Sequence, residues 1–403
     1  MAFEKCWRWF GVNDGISLSQ LREMGIEGVV TALHHIPNGQ VWPVEEIQKV
    51  QREIEKSGMY WSVVESLPVH EEIKQKGANV EKYILNYQQS LRNLGRCGID
   101  LVVYNFMPVI DWIRTSLNYI TPEGTSTMMF HYPALAAFDI YILKRSGAEL
   151  DYPPEIREAA LKFHTTLSSE ASEELAHNLI VVTQGFIDGV VKGSDGNYKQ
   201  LFLDHINRYK SIDAAQLRQN LADFLSEILP VAKEAGIQMA IHPDDPPYPV
   251  LGVPRIAGSA DDIRQILQMS ESSHHGITFC TGSLAARHDN RIPEMAVEFA
   301  QRTHFLHLRN IDWIDDHTFY ESGHLDGVVD MAELMTIFLK EQARRVAVGI
   351  AASRMPLRPD HGVSMLTDLG ENNPPGYPLI GRLRGLSELR GLEAGIAKHL
   401  GSI

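Results

Sequence analysis

Cysteine is scarce: Cys6, Cys97 and Cys280 are the only three in 403 residues, and they lie far apart. So few cysteines exclude a disulfide framework and lead us to expect a reducing, cytoplasmic setting. Long apolar runs are also missing. No stretch reaches the roughly 18 residues that a membrane helix needs. The opening "MAFEKCWRWFGVND" has no apolar signal-peptide core, so neither a membrane partner nor export is expected. Positive charge is in deficit, with 37 Lys and Arg against 51 Asp and Glu for a net charge of −14. That balance argues against nucleic acid as a partner, because nucleic-acid binding needs a concentrated basic surface. There is no strong repeat and no low-complexity tract. No G-x-G-x-x-G follows the first candidate strand, which counts against the competing fold, a doubly wound dinucleotide-binding sheet.

What is present is ordinary for a globular protein: 44% hydrophobic and 22% charged residues. The length suits two domains or one barrel with insertions. Short β-rich runs alternate with amphipathic helical stretches. The candidate strands cover residues 7–11, 28–32, 60–66, 100–106, 237–243, 276–282, 303–310 and a last one near 355–362. Several helical stretches end in glycine just before an apolar run, as in "REMGIEGVV", "GRCGIDLVVY" and "KEAGIQMAIH". Glycine at a helix end followed by a strand marks an αβ turn. Eight such units predict an α/β fold, a (β/α)8 TIM barrel over residues 1–403, its strands parallel because helices cross between them. The alternation breaks from about 110 to 215. We expect this to be a largely helical insertion after the fourth strand that covers the barrel mouth, with "KGSDGNYKQ" as an internal loop.

Reactive groups of such barrels sit at the C-terminal strand ends. Four consecutive ends carry potential metal ligands: His242 after "QMAI", Cys280 after "GITF", His307 in "HFLHLRN" and Asp360 in "RPDHG". Taken singly, each has a plainer explanation. A histidine is usually a hydrogen-bonded core or surface group, a cysteine a small buried hydrophobe, and an aspartate after proline a turn former. Jointly, two imidazoles, a thiolate and a carboxylate suit a divalent ion such as Fe(II), Mn(II), Co(II) or Zn(II). His304 rivals His307, but alternation puts the two on opposite faces and His307 lies nearer the C-terminal end. His361 follows Asp360 directly, and Tyr377 stands in the stiff "PPGYPLIGR". A histidine and a tyrosine beside a metal can act as acid and base, although a tyrosine between prolines more often only packs.

The stretches "WRWFGVNDGISLSQLREMGIEGVVTALHHIPNGQVW", "AIHPDDPP", "FCTGSL" and "PLRPDHG" through "GYPLIGRLRGL" resemble the mannonate dehydratase family, from Trp7 to the C-terminus. The resemblance implies a barrel like that of xylose isomerase and dependence on Mn(II) or Fe(II). It implies dehydration of D-mannonate to 2-dehydro-3-deoxy-D-gluconate, in hexuronate catabolism. It also implies metal ligands at His242, Cys280, His307 and Asp360 and an acid–base pair at His361 and Tyr377, with base and acid not distinguished. Arg309 and Asn105 are candidates for substrate contact, with a structural role equally open. We expect a small-molecule sugar acid as partner and a homo-oligomer. One departure is the long stretch "EQARRVAVGIAASRMPLRPDHG", which leaves the limits of the eighth strand open. Three other activities compete with this reading. An aldose–ketose isomerase fits the thiolate poorly, a phosphodiesterase on damaged DNA fits the negative charge poorly, and a non-catalytic sugar-binding barrel would not need both His361 and Tyr377.

Overall fold

The computed structural model describes residues 3–184, 197–349, 354–371 and 373–401. In chain order its strands are β1 (Glu4–Arg8), β2 (Gly28–Thr31), β3 (Tyr60–Glu65), β4 (Leu101–Tyr104), β5 (Ser116–Ile120), β6 (Ser126–His131), β7 (Gln238–Ile241), β8 (His275–Cys280), β9 (Thr303–Leu308), β10 (Ile311–Asp315), β11 (Thr318–Glu321) and β12 (Pro356–Pro359). Eight of them close a barrel in the order β1-β12-β9-β8-β7-β4-β3-β2, with parallel pairing at every seam. Helices run back between them. The longest, Ala214–Ala235, stops at Gly236, whose φ of 71° takes the left-handed turn that feeds β7.

All eight expected barrel strands are present. The first starts three residues earlier than its apolar run suggests, because Glu4 and Lys5 belong to it. Both are buried but matched: Lys5 Nζ lies 2.6 Å from Glu393, and Glu4 accepts from Arg354 at 2.8 Å. Charge at the barrel floor hid the start of the strand.

Alternation along the strands sorts the barrel interior from the helix-facing side. Cys6, Val30, Val63, Leu101, Val103, Ala240 and Phe305 form a separate buried cluster, the apolar plug of the barrel. Two residues further along five of these strands the same face turns polar: Arg8, Glu65, Asn105, His242 and His307. The plug is the floor on which the site is built.

The insertion after β4 holds helices Tyr132–Ala137, Pro154–Thr166, Ser169–His177 and Tyr198–Asn207, but it opens with a hairpin, β5–β6. A second hairpin, β10–β11, follows β9, and the two join in a four-stranded antiparallel sheet of order β10-β11-β6-β5. Of "KGSDGNYKQ", residues 192–196 lie outside the described residues, and Tyr198–Gln200 open a helix.

Candidate active site

His242, Cys280 and His307 bring one ligand atom each to within 4.8 Å of one another. His242 Nε2 and His307 Nδ1 are 3.1 Å apart. Asp360 Oδ2 lies 3.6 Å from Cys280 Sγ and 3.8 Å from His307 Nδ1. Ligands at about 2.0–2.3 Å from one small divalent ion keep separations of this size. The far nitrogens of both imidazoles are occupied. His242 Nδ1 lies 2.7 Å from the Pro243 carbonyl, which can only accept, so this nitrogen carries the proton. His307 Nε2 lies 3.2 Å from Glu65 Oε2 and has the same role. Arg358 Nε approaches His307 Nε2 at 3.2 Å, but its hydrogen has the better acceptor, Glu65 Oε2, at 3.1 Å. The facing nitrogens therefore both present lone pairs, beside a thiol and a carboxylate. Such a set calls for a cation, and the residues fit a divalent metal. Partners on the distal nitrogen fix a ligating histidine's tautomer and orientation.

Arg358 braces this centre. Its Nη2 donates to Glu65 Oε1 at 2.7 Å and its Nη1 to Asp360 Oδ1. Burial disfavours ionisation of Asp360, but Arg358, with His361, His307 and Arg309, outweighs it and holds the carboxyl well below its ordinary range. Asp360 is thus an anion ready to ligate.

Beside the candidate metal ligands lies a buried quartet from four parts of the chain. Arg114, just before β5, forks onto Asp245 (Nη1 to Oδ1 2.8 Å, Nη2 to Oδ2 3.0 Å) and reaches Glu321 on β11 (Nε to Oε1 2.9 Å, Nη2 to Oε1 2.6 Å). Arg309, after β9, lies 2.8 Å from Asp245 Oδ2 and 2.8 Å from Glu321 Oε2. None of the four is more than 2% exposed. Two cations and two anions match, as buried charges must. Burial opposes ionisation of Glu321, yet Arg309, Arg114 and His361 pull it down to about 2.

His361 hangs from this quartet, its Nδ1 3.3 Å from Glu321 Oε1. Its ring lies 5.5 Å from Trp112 of the insertion and 5.1 Å from Tyr377, which meets it edge-on at 85°. Tyr377 also packs edge-on against Phe10 at 4.9 Å, with the Arg382 guanidinium 4.9 Å over its ring. Arg382 donates to the Asp360 carbonyl at 2.9 Å, so one buried arginine holds both the tyrosine and the "RPDHG" turn. Gly376 supports the tyrosine with a φ of 82°, and a Cβ there would lie 3.0 Å from His361.

The six residues expected as ligands or as the acid–base pair thus lie together at the barrel mouth, and one pocket touches His242, Asp360, His361 and Tyr377. Arg309 and Asn105 line the same pocket. Arg309 is engaged by Asp245 and Glu321, and Asn105 donates to Asp111 Oδ1 at 2.8 Å. Sequence reasoning missed Arg8, Glu65, Asp111, Glu321 and Arg358. For Arg8 and Glu65 a signal existed, since each stands two residues beyond a plug residue. For Glu321 none did, because its hairpin is held by pairing with the distant β6 and leaves no local pattern.

The model of the D-mannonate dehydratase (UxuA) family matches residues 3–402. A mannonate dehydratase of Chromohalobacter salexigens is 47% identical over 395 residues, covering 98% of each chain. One of a Marinomonas species is 45% identical over 399 residues, covering 98% of this chain and all of its own. Among solved structures, the mannonate dehydratase of Streptococcus suis serotype 2 superposes with a TM-score of 0.76 at 31% identity, over 99% of this chain and 95% of that one.

Proposed function

The chain belongs to the D-mannonate dehydratase family, a family of metal-dependent hydro-lyases, and from that premise we propose which side chains carry the reaction and how. D-mannonate loses water to give 2-dehydro-3-deoxy-D-gluconate. The C2–H and C3–O bonds break, an enol forms between C2 and C3, and it tautomerises to the 2-keto acid. His242, Cys280, His307 and Asp360 hold the metal, and their mixed N, S and O donors suit Mn(II) or Fe(II). A divalent cation bound there supplies Lewis-acid stabilisation for the negative charge that develops on the substrate's oxygens.

His361 is the base. With Nδ1 donating to Glu321, its Nε2 is the free proton acceptor for the C2 proton. Tyr377 is the acid. Burial, and after it the charge of Asp360, raises the phenol well above its ordinary range, so it keeps its proton until the C3 hydroxyl leaves. The observation that carries this assignment is the edge-on His361–Tyr377 pair beside the ligand cluster.

The insertion of about 110–215 acts as a cover. In support, Asp111 and Trp112 line the pocket and Arg114 is locked into the quartet. The three unpaired cysteines support a reducing cytoplasm, and the acidic balance supports the absence of a nucleic-acid partner. Among the described residues no helix is long and apolar enough to cross a membrane. We retain a homo-oligomer as part of the proposal.

The deciding experiment strips the purified protein of metal and assays 2-keto acid formation from a panel of C6 aldonates. Activity on D-mannonate should vanish and return with Mn(II) or Fe(II). Full turnover by metal-free protein would refute the metal assignment.

A further inference from the structure

Three arginines line the pocket: Arg8, Arg309 and Arg358. Two are engaged, Arg358 by Glu65 and Asp360, Arg309 by Asp245 and Glu321. Arg8 differs. It is only 5% exposed, yet no carboxylate among the described residues forms an ion pair with it. Its Nη1 has no hydrogen-bond partner, and its guanidinium carbon sits 5.1 Å from the Phe10 ring. An unsatisfied buried cation is costly, and folds seldom keep one without a use. Its direction is set by the strand. Arg8 ends β1 two residues beyond Cys6, a plug residue, so it shares the interior face that carries Glu65, His242 and His307 on other strands of the barrel.

We propose that Arg8 is the site for the C1 carboxylate of the substrate, held through the guanidinium's paired N–H groups. The proposal rests on the dehydratase reading of the pocket. An aldonate brings one carboxylate, and Arg8 offers the one pocket guanidinium, among the described residues, that no protein carboxylate engages. Charge-assisted, two-pronged contact is what arginine makes with carboxylates. The placement has a chemical consequence. When the C2 proton leaves, negative charge spreads onto the C1 oxygens, so an arginine there stabilises the transition state more than the ground state. Burial, the largest influence on Arg8, lowers its pKa, and the charges of Glu65 and Asp111 offset it only in part.

The test uses manganese-loaded parent enzyme, Arg8→Gln and Arg8→Lys. Turnover of D-mannonate by the parent comes first, and its absence would defeat the underlying reading rather than this inference. KM and kcat for D-mannonate are measured with the inhibition constant of D-mannonamide, whose C1 is neutral. The parent should bind the amide about 10–100-fold worse than the acid, as loss of a charged hydrogen bond implies. Arg8→Gln should raise KM by a similar factor, lower kcat, and bind acid and amide within about threefold of each other, because the two losses share one contact. Arg8→Lys should fall between. Without substrate, Arg8→Gln should melt no lower than the parent, since it removes an unpaired buried charge. A KM within twofold of the parent, a preserved preference for the acid, or a variant that unfolds would each overturn the proposal.

Discussion

His361 Nδ1 lies 3.3 Å from Glu321 Oε1, and the same Glu321 oxygen accepts from Arg114 Nε at 2.9 Å. A ring nitrogen facing a carboxylate must donate, so the tautomer of His361 is set by a residue of a different sheet. That sheet is tied to the barrel by Arg114 and Arg309. The orientation of His361, the proposed base, therefore depends on the hairpins docking over the barrel mouth.

Glu321→Gln should accordingly lower kcat by at least about tenfold with a smaller change in KM, since loss of a tautomer-fixing carboxylate acts on the proton-transfer step. It also leaves Arg114 and Arg309 short of a charge, which should lower thermal stability by a few kcal/mol, roughly 3–5 for a broken buried pair. Steady-state kinetics on protein shown to be folded at the assay temperature separates the two effects. A kcat within twofold of the parent would rule out the orienting role.

Asp111 predicts a pH effect on stability. Its carboxyl is raised to about 6, first by burial, against the pull of His242, Arg255 and Lys74 and with a push from Asp245. Between about pH 4 and 6 the folded protein therefore holds a proton that the unfolded chain has released, and stability falls as pH rises through that window. Asp111→Asn mimics the protonated form and keeps an acceptor for Asn105. In metal-free protein it should be more stable than the parent at pH 8, by roughly 1–3 kcal/mol, and nearly equal at pH 4. Denaturant melts at the two pH values decide it, and equal stability at pH 8 would contradict the raised pKa.

The two neighbours Asp360 and His361 should separate cleanly. Asp360→Asn removes an anion that lies 3.6 Å from Cys280 Sγ, so metal content after dialysis should drop sharply. His361→Asn should keep its metal and lose turnover by about 10²–10⁴-fold. Metal analysis of both variants is the check, and retention by Asp360→Asn with loss from His361→Asn would mean the roles are reversed.

The barrel was legible because its strands are apolar runs preceded by helix-ending glycines, and the cluster of candidate ligands was legible because its members stand at the ends of those runs. Alternation could have revealed more. Counting two residues on from Cys6 and Val63 reaches Arg8 and Glu65, though an arginine and a glutamate at single strand ends carry no metal-site pattern of their own. The hairpins were hidden for a different reason. "SLNYI" and "STMMFH" mix polar and apolar residues, and "STMMFH" is stabilised by pairing far along the chain, as where Phe130 lies opposite Phe319. No local pattern records such a contact, so Glu321 and the quartet it closes could emerge only from the folded chain.

Tyr377 is the sharpest case for separating chemistry from packing. The ring is wedged between Phe10, His361 and Arg382, and Tyr377→Phe preserves every one of these ring contacts. Fold and melting temperature should therefore change little. What goes is the hydroxyl, which burial and Asp360 keep protonated. If it delivers the proton to the departing C3 hydroxyl, kcat should fall by about 10²–10⁴-fold with KM nearly unchanged, the pattern of an interaction made only in the transition state. A tyrosine that merely packs gives the opposite result, near-parent kcat with an altered melting temperature. Measuring kcat, KM and thermal unfolding of Tyr377→Phe on D-mannonate in one buffer distinguishes them. A kcat within about twofold of the parent, far below the acid–base range, would remove the phenol from the mechanism and leave the C3 hydroxyl in need of another acid.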